Sequence, residues 1–141
     1  MTDVLAERSF RGPAEAEAIE SVHDELDGLW NDAPFVEAMD QMTFTTAVIE
    51  SASNIVQHAL PARAEHPVEL GVDISVRPTL LQARVSAYHA KPPFGPLEPG
   101  TPDHNSESGR GLALIAALVT TVTFERQDGT NTWILSKSQR A

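Results

Sequence analysis

The sequence predicts an α+β domain, a two-layer sandwich with helices on one face of a mixed, largely antiparallel sheet. Three patterns carry this prediction: two neighbouring stretches that alternate apolar and polar residues, a long stretch with helical spacing and no Gly or Pro, and an Asp-Gly pair between two short apolar runs. The predicted order is strand, helix, helix, hairpin, proline-rich segment, helix, hairpin. With 141 residues, the chain has the size of one domain, and we assign residues 1–141 to it.

The composition is acidic, with 20 Asp and Glu against 10 Lys and Arg and a formal net charge of -10. Such a charge argues against direct binding of nucleic acid, and it favours either a positively charged partner protein or good solubility. There is no Cys, which excludes disulfides and thiolate sites. The start of the chain does not resemble a signal peptide, and no apolar run is long enough to span a membrane, so we expect a cytoplasmic protein without membrane contact.

The N-terminal part predicts one strand and one helix. Residues 4–12 alternate weakly and fit an edge strand, and residues 14–30 show apolar positions at helical spacing with acidic residues over the remaining surface. Two interpretations of the acidic surface remain, a solvated face and a docking face for a basic partner. Asp32 is expected to cap the next helix, ahead of Pro34.

The central helix is predicted over residues 44–60, a stretch that lacks Gly and Pro and ends before Pro61. Its apolar face is formed by Phe44, Val48, Ile49, Ala52, Ile55, Val56, Ala59 and Leu60. Glu50, Asn54 and His58 are spaced four apart and lie on the other flank. This flank fits either a solvated polar surface or a site for a metal and a phosphate.

Two predicted hairpins form the rest of the sheet. Residues 68–76 and 80–89 alternate strictly and form the first, while residues 122–125 and 132–135 flank the Asp-Gly pair of the second. Five prolines and two glycines between residues 91 and 106 exclude regular structure there. A loop of that length in a compact domain is typical of a lid over a ligand or of a disordered segment.

The third helix is predicted to begin at Gly109-Arg110-Gly111. Glycines at a helix start let backbone N–H groups approach an anion, and an arginine adds a bidentate phosphate donor. The same pattern also occurs in plain tight turns. Together with an Asn54 amide oxygen for Mg²⁺ and Glu50 as a base for an attacking hydroxyl, the pattern permits a Mg-nucleotide site.

The two motifs together resemble those of the GHKL (Bergerat-fold) ATPase superfamily. Residues 50–59 read E-x-x-x-N-x-x-x-H-A, and residues 107–112 read E-x-G-R-G-L. Within the superfamily, the short chain with this element order is similar to the anti-sigma-factor serine/threonine kinases. The resemblance extends over nearly the whole chain and is carried by the pair of motifs at this separation.

The resemblance implies a protein that binds ATP and Mg²⁺, holds a sigma factor inactive and phosphorylates a serine of an anti-anti-sigma (STAS-type) partner, commonly as a homodimer. By position, Asn54 would ligate Mg²⁺ and Glu50 would be the catalytic base. Gly109, Arg110, Gly111 and Leu112 would bind the phosphates. His58 is interpreted as a packing residue or as a residue behind the ligands.

One departure concerns the adenine site. The family has a D-x-G motif after the second strand of the first hairpin, and matching Phe94 and Pro96 to its F-x-P ending puts His89 at the Asp and Lys91 at the Gly. In the family this Asp accepts a hydrogen bond from the adenine amino group. The neutral imidazole of His89 could still accept that bond but lacks the anionic charge of Asp, and Lys91 is expected to be strained at a position where the family has Gly. The alternative function is therefore a non-catalytic, partner-binding module of the same fold with weak or no nucleotide binding.

Overall fold

The structure is a computed structural model that describes residues 3–93 and 113–139. Most of the predicted lid, residues 94–106, lies outside the described residues. So do Gly109, Arg110, Gly111 and Leu112, the four residues predicted to bind phosphates.

Seven elements account for most of the described chain. They are β1 (Ala6–Pro13), α1 (Ala16–Asp32), α2 (Ala38–His58), β2 (Glu69–Arg77), β3 (Leu80–Tyr88), β4 (Thr121–Gln127) and β5 (Thr130–Ser138). In addition, residues 113–118 are helical. The element order along the described chain matches the predicted one.

The five strands form one sheet in the order β1-β2-β3-β5-β4, and all four pairings are antiparallel. β1 is an edge strand, as predicted. The predicted alternation of β2 and β3 is confirmed, because their apolar residues are buried under the helices: Val68, Leu70, Val72, Ile74, Val76, Leu81, Ala83, Val85 and Ala87. The fold is thus the predicted two-layer sandwich, with helices on one face of the sheet.

The other face of the sheet is polar. The Ser86 and Thr132 hydroxyls are 2.9 Å apart across β3 and β5, and Arg84 donates to Glu125 at 2.8 Å. Alternating residues of one strand therefore meet two environments, a dry core and a hydrogen-bonded polar surface.

The predicted turn between β4 and β5 is confirmed. Asp128 has a φ of 53° and Gly129 a φ of 76°, so both central residues are left-handed. This is the geometry of a two-residue turn that follows the twist of a hairpin, and Asp-Gly adopts it more cheaply than most residue pairs.

Helix α2 is longer than predicted and begins at Ala38 rather than Phe44. Its buried residues include Phe44, Val48, Ala52 and Ile55, as expected, but Leu60 lies beyond its end and is 61% exposed. The prediction for Leu60 is wrong because the helix stops at His58, before Pro61, and the chain changes direction there.

Helix α1 is amphipathic, as predicted, but the predicted cap is wrong. Asp32 is the last residue of α1, and Glu37 precedes α2 without a side-chain cap. Instead the Asp32 carboxylate accepts a hydrogen bond from Arg8 Nε at 3.1 Å, and Glu25 lies 3.5 Å from the same guanidinium. The hydrogen bond from Arg8 to Asp32, and secondarily their charge attraction, raises the pKa of Arg8. The pairs join α1 to the edge strand.

Among the helices that the structure describes, none combines the length and the apolarity that a membrane crossing requires.

Candidate functional site

A small cavity lies between the C-terminal half of α2 and the inner face of the sheet. Its volume is about 50 Å³. The residues around it come from α2, from the inner face of β3 and β5, and from the two described segments that flank residues 94–112: Ser51, Asn54, Ile55, His58, Ala59, Ala87, Pro93, Ile115, Asn131 and Trp133. Most of the wall is apolar, with a few polar groups among the aliphatic and aromatic ones, which is the usual make-up of a ligand site.

The spacing of α2 accounts for the helical wall of this cavity. Ser51, Asn54 and His58 are three and four residues apart, so they follow one another along one stripe of the helix. Ser51 is satisfied locally, since its hydroxyl donates to the Ala47 carbonyl oxygen at 2.9 Å. Asn54 is half-buried and has its amide at the cavity wall. The structure therefore brings Asn54 and His58 together, whereas Glu50 is half-buried one turn away and does not line the cavity.

His58 has an unmet polar group at this wall. Its Nε2 is buried and has no hydrogen-bond partner within the described residues. Buried polar atoms are bonded in the great majority of cases, and an unbonded one costs roughly 1–3 kcal/mol. The sequence suggested packing for His58, but its position makes it a group that a polar atom of a ligand would satisfy.

Asn131 is a polar residue of the site that sequence reasoning missed. It is 1% exposed, and its Nδ2 donates to the Lys91 carbonyl oxygen at 2.8 Å. Its Oδ1 accepts from Arg126, which also donates to the Ala90 carbonyl oxygen. These bonds hold residues 90 and 91 against the second hairpin. The alternation of β5 could have revealed it, because Asn131 lies on the same inward face of the strand as Trp133 and Leu135.

His89 does not lie at this cavity. It is exposed, and its ring centroid is 5.5 Å from that of His66. On the same strand, Ala87 is the residue that lines the cavity. The predicted contact of His89 with adenine stays a prediction.

The predicted strain at Lys91 is wrong, because the left-handed residue in this segment is His89, with a φ of 61°. Non-glycine residues adopt such a φ uncommonly, and histidine does so more readily than most. Lys91 instead forms ordinary backbone hydrogen bonds, and its N–H donates to the Leu60 carbonyl oxygen at 2.8 Å.

The donor set fits a magnesium ion only when a substrate supplies most of the ligands. The described residues contain no group of three His, Asp or Glu side chains that would hold an ion by themselves. Mg²⁺ commonly takes one or two protein oxygens and completes its shell with phosphate oxygens and water. Asn54 Oδ1 is the side-chain oxygen of the cavity wall that suits this role.

One solved structure illustrates the similarity of this fold to known ones. It is the crystal structure of the RsbU and RsbW domains of Rv1364c from Mycobacterium tuberculosis, with a TM-score of 0.60 and 15% identity. The match covers 95% of this chain and 33% of that one, so this chain spans about a third of its relative's length. At this identity the likeness shows the fold. A search of the curated proteins found no match.

A family model establishes the family. The model for the histidine kinase-like ATPase domain matches residues 12–137, which include α1, α2 and all strands except most of β1 and the last residue of β5. That range includes the candidate cavity and both sequence motifs. The chain belongs to the histidine kinase-like ATPase domain family.

Proposed function

We propose that this protein is an anti-sigma regulatory factor that binds ATP with Mg²⁺, holds a sigma factor inactive and phosphorylates a serine of an anti-anti-sigma (STAS-type) partner. The observation that supports the proposal best is the pairing of Asn54 with the unsatisfied Nε2 of His58 at one cavity, in a chain of an ATPase domain family. Membership of this family supports nucleotide binding as the general activity.

The proposed roles follow the chemistry of the side chains. Asn54 would hold Mg²⁺, which neutralises phosphate charge when bound. Glu50 would take the proton of the partner's serine hydroxyl as its oxygen bonds to the γ-phosphorus. The bond from that phosphorus to the β–γ bridging oxygen breaks, and ADP leaves. Gly109, Arg110, Gly111 and Leu112 would bind the phosphates.

A second candidate function is a non-catalytic partner-binding module with weak or no nucleotide binding. Three observations favour it. None of the described residues that line the cavity is a carboxylate, and the inward position of β3 is occupied by Ala87 while His89 is exposed. In addition, a cavity of about 50 Å³ is well below the roughly 300–1,000 Å³ of common ligand sites, so a nucleotide would have to widen it.

Calorimetric titration of Mg-ATP separates the two candidates. An Asp at the adenine position forms a charge-assisted bond, whose loss costs about 1.5–3 kcal/mol, or roughly one to two decades of affinity. We therefore expect wild type to bind weakly and the double variant His89→Asp, Lys91→Gly to bind more tightly, with unchanged thermal unfolding as the control.

Phosphate transfer from labelled ATP to STAS-type proteins tests the catalytic step. The kinase is expected to label one of them, and Glu50→Gln is expected to abolish labelling while Mg-ATP binding persists. A wild type that binds Mg-ATP yet labels no partner supports the module. A double variant that binds no better than wild type shows that the missing Asp does not limit the site.

We also propose that the protein acts in the cytoplasm as a homodimer that exchanges between the sigma factor and the anti-anti-sigma protein. The acidic charge supports protein partners over nucleic acid. Sedimentation of the protein alone and with each partner would measure the proposed assemblies. A chain that stays monomeric at high concentration and binds neither partner would contradict them.

A further inference from the structure

The N-terminal end of α2 carries an exposed apolar stripe. Phe35, Met39 and Met42 are 61%, 65% and 62% exposed, and among the described residues only Leu60 is a large apolar side chain exposed to a similar degree. Met39 and Met42 lie three residues apart on one helix face, and Phe35 precedes them in the turn before the helix. We call these three residues the methionine stripe. Apolar side chains clustered in this way mark interaction surfaces more often than single exposed residues do.

The helix layer around the stripe carries the whole net charge of the chain. Residues 12–62, which include α1 and α2, contain ten of the 20 acidic residues and none of the 10 Lys and Arg residues. The ten are Glu15, Glu17, Glu20, Asp24, Glu25, Asp27, Asp32, Glu37, Asp40 and Glu50. In the rest of the chain, ten acidic and ten basic residues cancel. The formal charge of -10 is therefore confined to one layer of the sandwich.

Only part of this charge is neutralised within the described part of the molecule. Arg8 reaches Asp32 and Glu25, and Lys137 Nζ lies 3.6 Å from Asp40 Oδ1. The remaining carboxylates of the layer have no ion-pair partner among residues 3–93 and 113–139. Those nearest the stripe in the chain include Glu37, which directly precedes α2 and is exposed.

The acidic surface of α1 and the stripe of α2 are side by side. Trp30 Nε1 donates to Thr45 Oγ1 at 2.9 Å, and the Trp30 ring meets Phe44 edge-on at 6.1 Å. The C-terminal half of α1 thus packs against the N-terminal half of α2. Both helices bury their inner faces on the sheet, so the exposed Asp24 and Asp27 share the outer surface with the stripe.

We propose that this outer surface docks a basic amphipathic helix of a partner protein. The apolar face of such a helix would cover the methionine stripe, and its Lys and Arg residues would meet the unpaired carboxylates. Methionine side chains adapt to partners of different shape, which suits an exchange of partners. A second copy of this chain fits poorly, because it would bring two layers of the same charge together. The proposal rests on the proposed function in that it names a surface for a protein partner, but no residue of the cavity takes part in it, so it can be tested without nucleotide.

The test uses synthetic helices as probes. A fluorescent amphipathic helix of leucine and lysine, about 18 residues long, is titrated with the full chain, beside its leucine–glutamate counterpart. We expect the lysine helix to bind with an affinity that falls with salt, and the glutamate helix not to bind. Equal binding of both probes, or no binding of the lysine helix, would overturn the proposal.

Matched variants locate the binding. Phe35→Ser, Met39→Ser and Met42→Ser together should weaken binding of the lysine helix at least about tenfold. The control is Leu60→Ser, which changes an equally exposed apolar residue at the far end of α2 and should bind as wild type does. If the triple variant and the control bind alike, the stripe is not the docking site.

A second pair of variants tests the charge. Asp24→Asn, Asp27→Asn and Glu37→Gln together should weaken binding, whereas Glu7→Gln with Asp73→Asn, which are exposed on the polar face of the sheet, should not. Equal losses in both sets would mean that only net charge attracts the probe, against the proposal. Sedimentation tests the remaining outcome. If the wild type forms a dimer that dissociates in the variant with all three stripe residues changed to Ser, the stripe binds a second copy of the chain, and the proposal of a basic helix is overturned.

Discussion

The two ends of helix α2 differ in how they present apolar side chains. At the C-terminal end, Ile55 and its neighbours line a small cavity, to which α2 contributes the polar side chains Ser51, Asn54 and His58. At the N-terminal end, Met39 and Met42 are exposed, and Glu37 just before them has no ion-pair partner among residues 3–93 and 113–139. We propose that one amphipathic helix thus serves two sites, the cavity for a nucleotide and the methionine stripe for a protein partner. The difference suggests that ligand binding and partner docking can be altered separately.

The largest expected effect contrasts the buried and exposed faces of α2. Phe44 is fully buried and packs edge-on against Trp30, so Phe44→Ala should lower the free energy of unfolding by about 3–5 kcal/mol. Met42→Ala, two residues away and exposed, should change it by less than about 0.5 kcal/mol. Urea denaturation measures both. Similar losses for the two variants would show that the stripe packs against the domain and is not free for a partner.

The second-largest expected effect concerns nucleotide affinity at the C-terminal end of α2. If Arg110 reaches the γ-phosphate, Arg110→Ala removes a charge-assisted bond worth about 1.5–3 kcal/mol. Binding of Mg-ATP should then weaken by roughly one to two decades, while binding of Mg-ADP changes much less. Competition between the two nucleotides measures the difference. An equal loss of affinity for Mg-ATP and Mg-ADP would show that Arg110 does not contact the γ-phosphate.

The smallest effect tests whether the two ends are separable. Trp30→Phe keeps an aromatic ring, although a smaller one, and removes the 2.9 Å hydrogen bond to Thr45, at a cost of at least about 1 kcal/mol of stability. Because this bond joins α1 to the N-terminal half of α2, nucleotide affinity should not change. Thermal unfolding and Mg-ATP titration of the same variant check both statements. If Mg-ATP affinity fell together with stability, the two ends of α2 would be coupled and could not be altered separately.

Most of the sheet could be predicted because its signals are local. Strict alternation fixes which face of β2 and β3 is buried, and the Asp-Gly pair tolerates the two left-handed residues of a hairpin turn better than most pairs do. The start of α2 could not be predicted in this way. Its first turns carry Met39 and Met42, which are exposed and do not continue the apolar face that packs on the sheet from Phe44 onward.

The position of His89 shows where the alternation of β3 stops. Counting by twos from Val85 and Ala87 would point residue 89 inward as well. The strand ends at Tyr88, however, and the left-handed φ of His89 turns the chain out of the alternation. Sequence spacing carries no information about that turn. Asn131 was missed for a related reason, since its amide bonds the Lys91 carbonyl oxygen, 40 positions away along the chain.

The central claim is that Asn54 at the C-terminal end of α2 marks the nucleotide site. Calorimetric titration of Mg-ATP into wild type, Asn54→Ala and Met42→Ala tests it most directly. We predict binding by wild type and Met42→Ala, and a loss of at least about tenfold in Asn54→Ala with stability within about 1 kcal/mol of wild type. An Asn54→Ala protein that binds Mg-ATP as tightly as wild type, or that no longer folds, would contradict the account.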